Sequence, residues 1–478
     1  MVLAILIIYL LIIFLVGIWG NKFNNGVDDY LLAGRRLGTW FASFALVATL
    51  YGGGKVVGLS EQGFESGLVS WWNGIGGGIG FILISLIAYR MRKLALFTVP
   101  DYVMKRYNSN GLRIMCCLLS LIALLGILAS QVFAASSILE MFGVGSMTGA
   151  VIVSVVFVLY TAIGGLWGAT ITDFIHIIIA AVGTIVTSII VLVKAGGFGG
   201  LGQGIASVDT AEYLSITGNW NVSFMVWLAL PLILYNMIGQ DVYQRLFASK
   251  DGKTAKHSAF IAGIILIAIT LFPVIIGMGA RTLFPEETNS ALALPLVVGE
   301  VLPDFLAGLV LAAVMAAIMS TANSILTAGT SHIVNDLYLN GVKKKELANG
   351  KTLDEKFLVK LSRTWTLILG AIAILVATIL PSIVDGLLIS YTLYTAGVFT
   401  PVIIGFLWKK GTKQGAYASF IIGLFVAILG IAGVSTFGIP IEVLSVVVAL
   451  IVYFVVSLIT YKGSQEVEES LEKVVGDK

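Results

Sequence analysis

Polar positions along this chain are confined to short intervals between long apolar runs. The first run, 2–20, contains no charged residue, and comparable runs recur to residue 462. They follow neither the one-sided period of a surface helix nor the alternation of a half-buried strand, being apolar on every side. A helix crossing a bilayer needs about 20 mostly apolar residues. On that measure the runs divide into about thirteen segments: 2–20, 39–60, 69–91, 111–141, 146–166, 170–194, 224–245, 256–281, 305–338, 359–381, 385–408, 415–434 and 439–462. The first has no basic stretch before it and no small-residue cleavage pattern after it, and reads as a retained helix rather than a signal peptide. The pattern predicts an all-α integral membrane protein.

Composition points the same way. Hydrophobic residues make up 58% of the 478 positions and charged residues 12%, against about 25% charged in a soluble domain. Such a chain has too little polar surface to dissolve in water. The net charge of +3 gives no reason to expect a nucleic-acid partner. Its expected partners are the lipid bilayer and a small solute, with no obligate protein partner. The two cysteines, Cys116 and Cys117, are adjacent in an apolar run, where buried free thiols are expected.

The placement of charge supplies an orientation. If the N-terminus is outside and the spans alternate, all but three of the 29 lysines and arginines fall on the inner side. The exceptions are Lys194 and Arg281 outside and Lys55 within a span. This bias is the positive-inside rule, and it puts the C-terminus in the cytoplasm and the chain in the cell membrane. No soluble domain is visible. The expected organisation is an N-terminal helix with its loop (1–38), two five-helix units (39–194 and 195–408), and a C-terminal helix pair with a short charged tail (409–478). The Gly76–Gly80 run lacks the Lys-Ser/Thr ending of a phosphate loop and reads as a helix-packing surface.

Two spans carry breaks. Consecutive glycines follow Tyr51 at positions 52–54, and Lys55 follows them. Five spans later, Pro231 and Gly239 interrupt another helix. Unwound backbone at membrane depth is tolerated only where it is packed in protein or lines a wet cavity. Broken helices at matching places in two halves predict a five-plus-five inverted repeat with its site at the breaks.

Several motifs, in one order along nearly the whole chain, carry a resemblance. They are TLYGGGKVVGLSEQGF (49–64), VPDYVMKRYN (99–108), GGLWGATITDFIH (164–176), GQDVYQRLFASKD (239–251), AAIMSTANSILTAGTSHIVNDLY (316–338) and GVFTPVIIGFLWKKGTKQGA (397–416). On these the chain resembles the sodium:solute symporter family, which includes proline, pantothenate, sugar and choline carriers. The resemblance implies secondary active symport of a small organic solute with Na⁺, by alternating access, and no enzymatic activity.

Ala317, Ser320 and Thr321 share one helix face by their spacing. The resemblance makes them half of the family's main Na⁺ site, completed by backbone carbonyls at Ala48 and Tyr51. The competing reading has both hydroxyls bonded back to their own helix. Asp173 either caps a helix N-terminus near the inner face or, by resemblance, lies on the ion route or helps form an additional Na⁺ site. Arg245 reads as a cytoplasmic anchor, and His176 as a packed polar residue.

Lys55 is the one cation set deep in a predicted span, a placement that marks function by default. By alignment it falls where sugar carriers hold a substrate-contacting residue. Its charge meets a carboxylate on the solute, or pairs with Asp241 or Glu61, or titrates and couples transport to H⁺. Gly52, Gly53, Gln240 and Asp241 at the two breaks join it as candidate substrate contacts. Tyr391 and Tyr394 are candidate gate residues. Trp71, a further candidate substrate contact, stands where sugar carriers hold an acid, and Leu50 where they hold an asparagine, which argues against a hexose. The solute expected from Lys55 carries a carboxylate, as an amino acid or an organic acid. A channel would need a continuous polar pore and a sensor a signalling domain after the last span; neither is visible.

Overall fold

The structure, a computed structural model, describes residues 2–140, 143–203, 209–218, 222–287, 289–350, 353–378, 383–436 and 438–461. The predicted tail after Tyr461 lies outside them. The helices are α1 (Val2–Trp19), α2 (Val27–Leu32), α3 (Thr39–Leu50), α4 (Gly53–Ser66), α5 (Trp72–Lys93), α6 (Val99–Tyr107) and α7 (Asn110–Glu140). Next come α8 (Ser146–Lys194), α9 (Thr210–Tyr213), α10 (Val222–Asn236), α11 (Gln240–Ala248), α12 (Gly252–Leu283), α13 (Ala293–Leu296) and α14 (Asp304–Ser331). The chain ends in α15 (Lys344–Ala348), α16 (Glu355–Ala377), α17 (Ile383–Phe399), α18 (Gly405–Leu407), α19 (Lys413–Ile431) and α20 (Ile441–Thr460).

Among the described residues, ten helices are long and apolar enough to cross a membrane, or eleven if α10 and α11 form one bent span. The predicted segments and these helices differ at three places. The segment 39–60 is two helices, α3 and α4, parted at Tyr51 and Gly52, and α3 has only 12 residues. The predicted segments 146–166 and 170–194 form one helical run, turned at Gly165 (φ 59°, ψ −155°). That conformation is open to glycine alone, so one residue does the work expected of a loop. The segment 224–245 is α10 and α11, bent by 43° around the three residues between them.

At the centre α14 packs against α7, α8, α3 and α4, while α12 packs against α3, α4, α5 and α8. α14 is buried throughout from Val310 to Ser331, which suits a helix enclosed by others rather than facing lipid. The Gly76–Gly80 run is a packing surface: a Cβ at Gly76 would lie 2.6 Å from the Cα of Ala229 on α10. Small residues there let the backbones approach.

Candidate functional site

The α3–α4 break rests directly on α14. A Cβ on Gly52 would collide with the Thr321 hydroxyl, and one on Gly53 with the Ile318 side chain. Gly52 itself is extended (φ −89°, ψ 176°), a conformation any residue adopts. The glycines are therefore required by close approach, not by an unusual dihedral.

The contact gathers four neutral oxygens. Ser320 Oγ donates to the Ala48 carbonyl at 3.1 Å and to the Ala317 carbonyl at 2.9 Å. Thr321 Oγ1 donates to the same Ala48 carbonyl at 3.1 Å. All four residues are at most 4% exposed. The back-bonding reading accounts for one bond, Ser320 to Ala317, while both hydroxyls reach across to α3. The set is made of uncharged hard donors, the kind suited to a hard monovalent cation, and its hydroxyl lone pairs are free when the protons turn outward. The Tyr51 hydroxyl lies 2.9 Å from Thr184 Oγ1, while its backbone, whose carbonyl is the expected ligand, sits at the break itself, at the end of α3.

A polar chain leads on from this cluster. Ser324, one turn beyond Ser320, lies 3.2 Å from Thr49 Oγ1 and accepts from Arg245 Nη2 at 2.6 Å. Arg245 in turn faces Asp173 at 3.7 Å, and both side chains are fully buried. Asp173 lies well inside the second arm of α8, eight residues past Gly165, so the helix dipole does not hold it. Arg245 is no surface anchor; its guanidinium also donates to Gln244 Oε1 at 3.0 Å.

Beside the oxygens opens a cavity of about 50 Å³. Lys55, Thr49, Gln62, Asn73, Gln131, Thr321 and Tyr391 supply its polar side chains, with Leu50, Leu59, Leu232, Leu387 and three glycines. Thr321 belongs to both cavity and oxygen cluster, and Gly52 lines the cavity against its hydroxyl. The Lys55 ammonium donates to Asn73 Oδ1, and to the Asn73 carbonyl at 3.4 Å. Among the described residues it takes part in no ion pair.

Other predicted residues, Tyr391 apart, lie outside this lining. Asp241 Oδ1 accepts from Tyr235 at 2.8 Å. Gln240 fastens the 97–99 segment, accepting from Val99 N at 2.8 Å and donating to Phe97 O at 3.2 Å. Trp71 Nε1 donates to Ile267 O at 2.9 Å. Gly53 lies in the break against Ile318. Tyr391 lines the cavity and packs on Tyr235 with ring centroids 4.5 Å apart. Tyr394 donates to Ile238 O at the second break, 3.1 Å away. His176 is buried and bonded to the Tyr9 hydroxyl.

Sequence reasoning passed over Asn73 and Gln131. Each is a lone amide in an apolar helix, and that isolation was the available signal. It also missed Cys117, His332 and Asp336, whose ligand-type atoms lie within 4.8 Å of one another. There both His332 ring nitrogens are taken, by Asp336 at 2.8 Å and Ser120 at 2.7 Å. Nearby, outside the spans, burial and the adjacent Asp336 carboxylate push Asp101 up to about 7.

The chain is 28% identical to the sodium/pantothenate symporter of Escherichia coli (strain K12), over 94% of this chain and 95% of that one. It is 27% identical to the sodium/proline symporter of the same organism, over 88% and 86%. Among solved structures, a substrate-bound, outward-open Na⁺-coupled sialic acid symporter superposes with a TM-score of 0.84, at 20% identity, over 96% of this chain and 97% of that one. MhsT in complex with L-phenylalanine superposes with a TM-score of 0.58, at 16% identity, over 88% of this chain and 98% of that one. At these identities the structural likeness speaks for the fold alone. A profile of the sodium:solute symporter family matches residues 30–423, and the chain belongs to that family of membrane transporters.

Proposed function

We propose that this protein is a cell-membrane symporter that takes up a small organic solute bearing a carboxylate, an amino acid or an organic acid, driven by Na⁺. The observation that carries the reading is that Thr321, which supplies one of the four neutral oxygens, also lines a cavity holding one ammonium. Na⁺ on Ala48, Ala317, Ser320 and Thr321 would draw α3 and α14 together, and those helices also wall the cavity. Each ligand then favours the arrangement the other needs, which is a reciprocal coupling free energy. Lys55 receives the solute carboxylate. Asp173 stands at the far end of the polar chain from the oxygens, on the route by which the ion leaves.

On this reading α3 with α4 forms one broken span, the arms of α8 on either side of Gly165 form two, and α10 with α11 forms another. The total is then about thirteen, with helices α3 to α18 as a five-plus-five inverted repeat. The two halves rock between outward- and inward-open states, the N-terminus lying outside and the C-terminus inside. Purified protein in proteoliposomes, screened over labelled amino acids and organic acids, tests the function. Uptake should require an inward Na⁺ gradient and persist when the pH gradient is collapsed. Uptake driven by a pH gradient without Na⁺, and lost in Lys55→Met, would make Lys55 a proton carrier instead.

A further inference from the structure

Where the end of α5 meets the start of α12 lies another cavity, of about 410 Å³, which shares no residue with the first. Arg92 and Lys93 line it from α5, and Lys250 and Lys253 from around the start of α12. Among the described residues, none of these four takes part in an ion pair. The carboxylate in the lining, Asp251, is committed to capping α12, where it accepts from Thr254 N at 2.7 Å. Positive charge is therefore in excess in one hollow. Like charges gathered there repel one another, and an anion seated among them removes that cost.

The hollow is mounted on a held junction rather than on a loose loop. A Cβ on Gly252 would lie 2.8 Å from Tyr89 O, so the two helices meet backbone to backbone. Arg92 Nε donates to Ser249 O at 2.6 Å. Leu37 N donates to Ala248 O at 3.1 Å, and Lys250 N to Leu37 O at 3.0 Å, which ties the entry of α3 to the end of α11. Lys93 Nζ stands 5.0 Å from the centre of the Tyr89 ring.

From this hollow two apolar lines run along the helices. On α12, Phe260 and Ile264 follow Lys253 by seven and eleven residues, which is one helix face. On α5, Leu86 precedes Tyr89 by three residues and Lys93 by seven, again one face. Leu86 is 69% exposed, Phe260 47% and Ile264 51%. A cationic hollow continued by exposed apolar side chains matches the two parts of a phospholipid, a phosphate and its acyl chains. A free phosphate would use the first part alone.

We infer that this hollow binds one anionic phospholipid, with its phosphate among Lys93, Lys250 and Lys253 and its chains along Leu86, Phe260 and Ile264. On the orientation proposed above, the lipid belongs to the cytoplasmic leaflet. Its headgroup braces the junction through which α3 and α11 are tied.

The test is lipid binding to the full-length protein in detergent, read by native mass spectrometry and by thermal unfolding. The probes are phosphatidylglycerol, phosphatidylcholine and inorganic phosphate. The wild type should retain phosphatidylglycerol under conditions that strip phosphatidylcholine, and phosphatidylglycerol should raise its unfolding temperature. Lys93→Gln/Lys250→Gln/Lys253→Gln should bind phosphatidylglycerol about tenfold or more weakly. Lys253→Glu alone, at an exposed position, should lose affinity in the same direction. Lys409→Gln/Lys410→Gln/Lys413→Gln removes as many charges from another exposed basic stretch and should bind as the wild type does. Phe260→Ser/Ile264→Ser should also weaken phosphatidylglycerol binding. Equal losses in the two triple variants would show a diffuse attraction and overturn the site. Phosphatidylcholine bound as tightly as phosphatidylglycerol would overturn it too. Displacement of the lipid by inorganic phosphate, with full binding in Phe260→Ser/Ile264→Ser, would make the hollow a phosphate site and overturn the lipid assignment.

Discussion

Lys55 carries an ammonium into a helix where an unpaired charge costs several kcal/mol. Its hydrogen-bond partner is Asn73, a neutral amide, rather than Asp241 or Glu61. That distinction has a measurable consequence. Lys55→Met removes the donor from Asn73 Oδ1, at a cost of about 1–3 kcal/mol. Breaking a buried ion pair would cost more, about 3–5 kcal/mol. Thermal unfolding of the detergent-purified variant should therefore show the smaller loss, and Asp241→Asn in the same background should give no rescue. Rescue by that second substitution would establish a Lys55–Asp241 pair. Lys55 was legible in the sequence because a cation stands out in an apolar run. Asn73 was not, since its role depends on the α3–α4 break folding back toward the start of α5, which no local pattern records.

The break between α3 and α4 acts as an element through its contact with α14. Gly53→Ala would drive a methyl into Ile318, with overpacking typically costing about 1–3 kcal/mol. Relief comes by moving α14 away from the break, so the variant should bind Na⁺ more weakly. Ile318→Ala, which makes room, should restore binding in the double variant. Unchanged affinity in Gly53→Ala would mean that the contact does not set the oxygen positions. The α8–α11 contact predicts a different outcome. Asp173→Asn leaves Arg245 buried without its counter-charge and should cost about 3–5 kcal/mol in thermal or denaturant unfolding. Arg245→Met should recover much of that loss. The sequence showed the two breaks through Gly52–Gly54 and Gly239, whereas Pro231, expected to interrupt the same span, lies inside α10 without ending it. It did not show that Arg245 turns inward, because a basic residue near a helix end reads as a surface anchor unless its partner on α8 is known.

For the whole molecule, the apolar runs and the confinement of basic residues to alternate intervals made the all-helical membrane class and most helix positions legible. What they could not convey was where one run holds two helices. Thr39–Leu50 is too short to be recognised as a separate helix, and at Gly165 a single positive φ replaces a loop. The oxygen cluster was half visible: Ala317, Ser320 and Thr321 share a face by spacing alone, whereas the convergence of both hydroxyls on Ala48 is a tertiary fact. That convergence is also where the account is most exposed to test. Equilibrium binding of ²²Na⁺ to the purified full-length protein, by scintillation proximity, needs no knowledge of the solute. The wild type should bind Na⁺ saturably, and Ser320→Ala/Thr321→Ala, still eluting as folded protein, should bind it about tenfold or more weakly. Equal affinity in the folded double variant would contradict the assignment of the ion to these four oxygens.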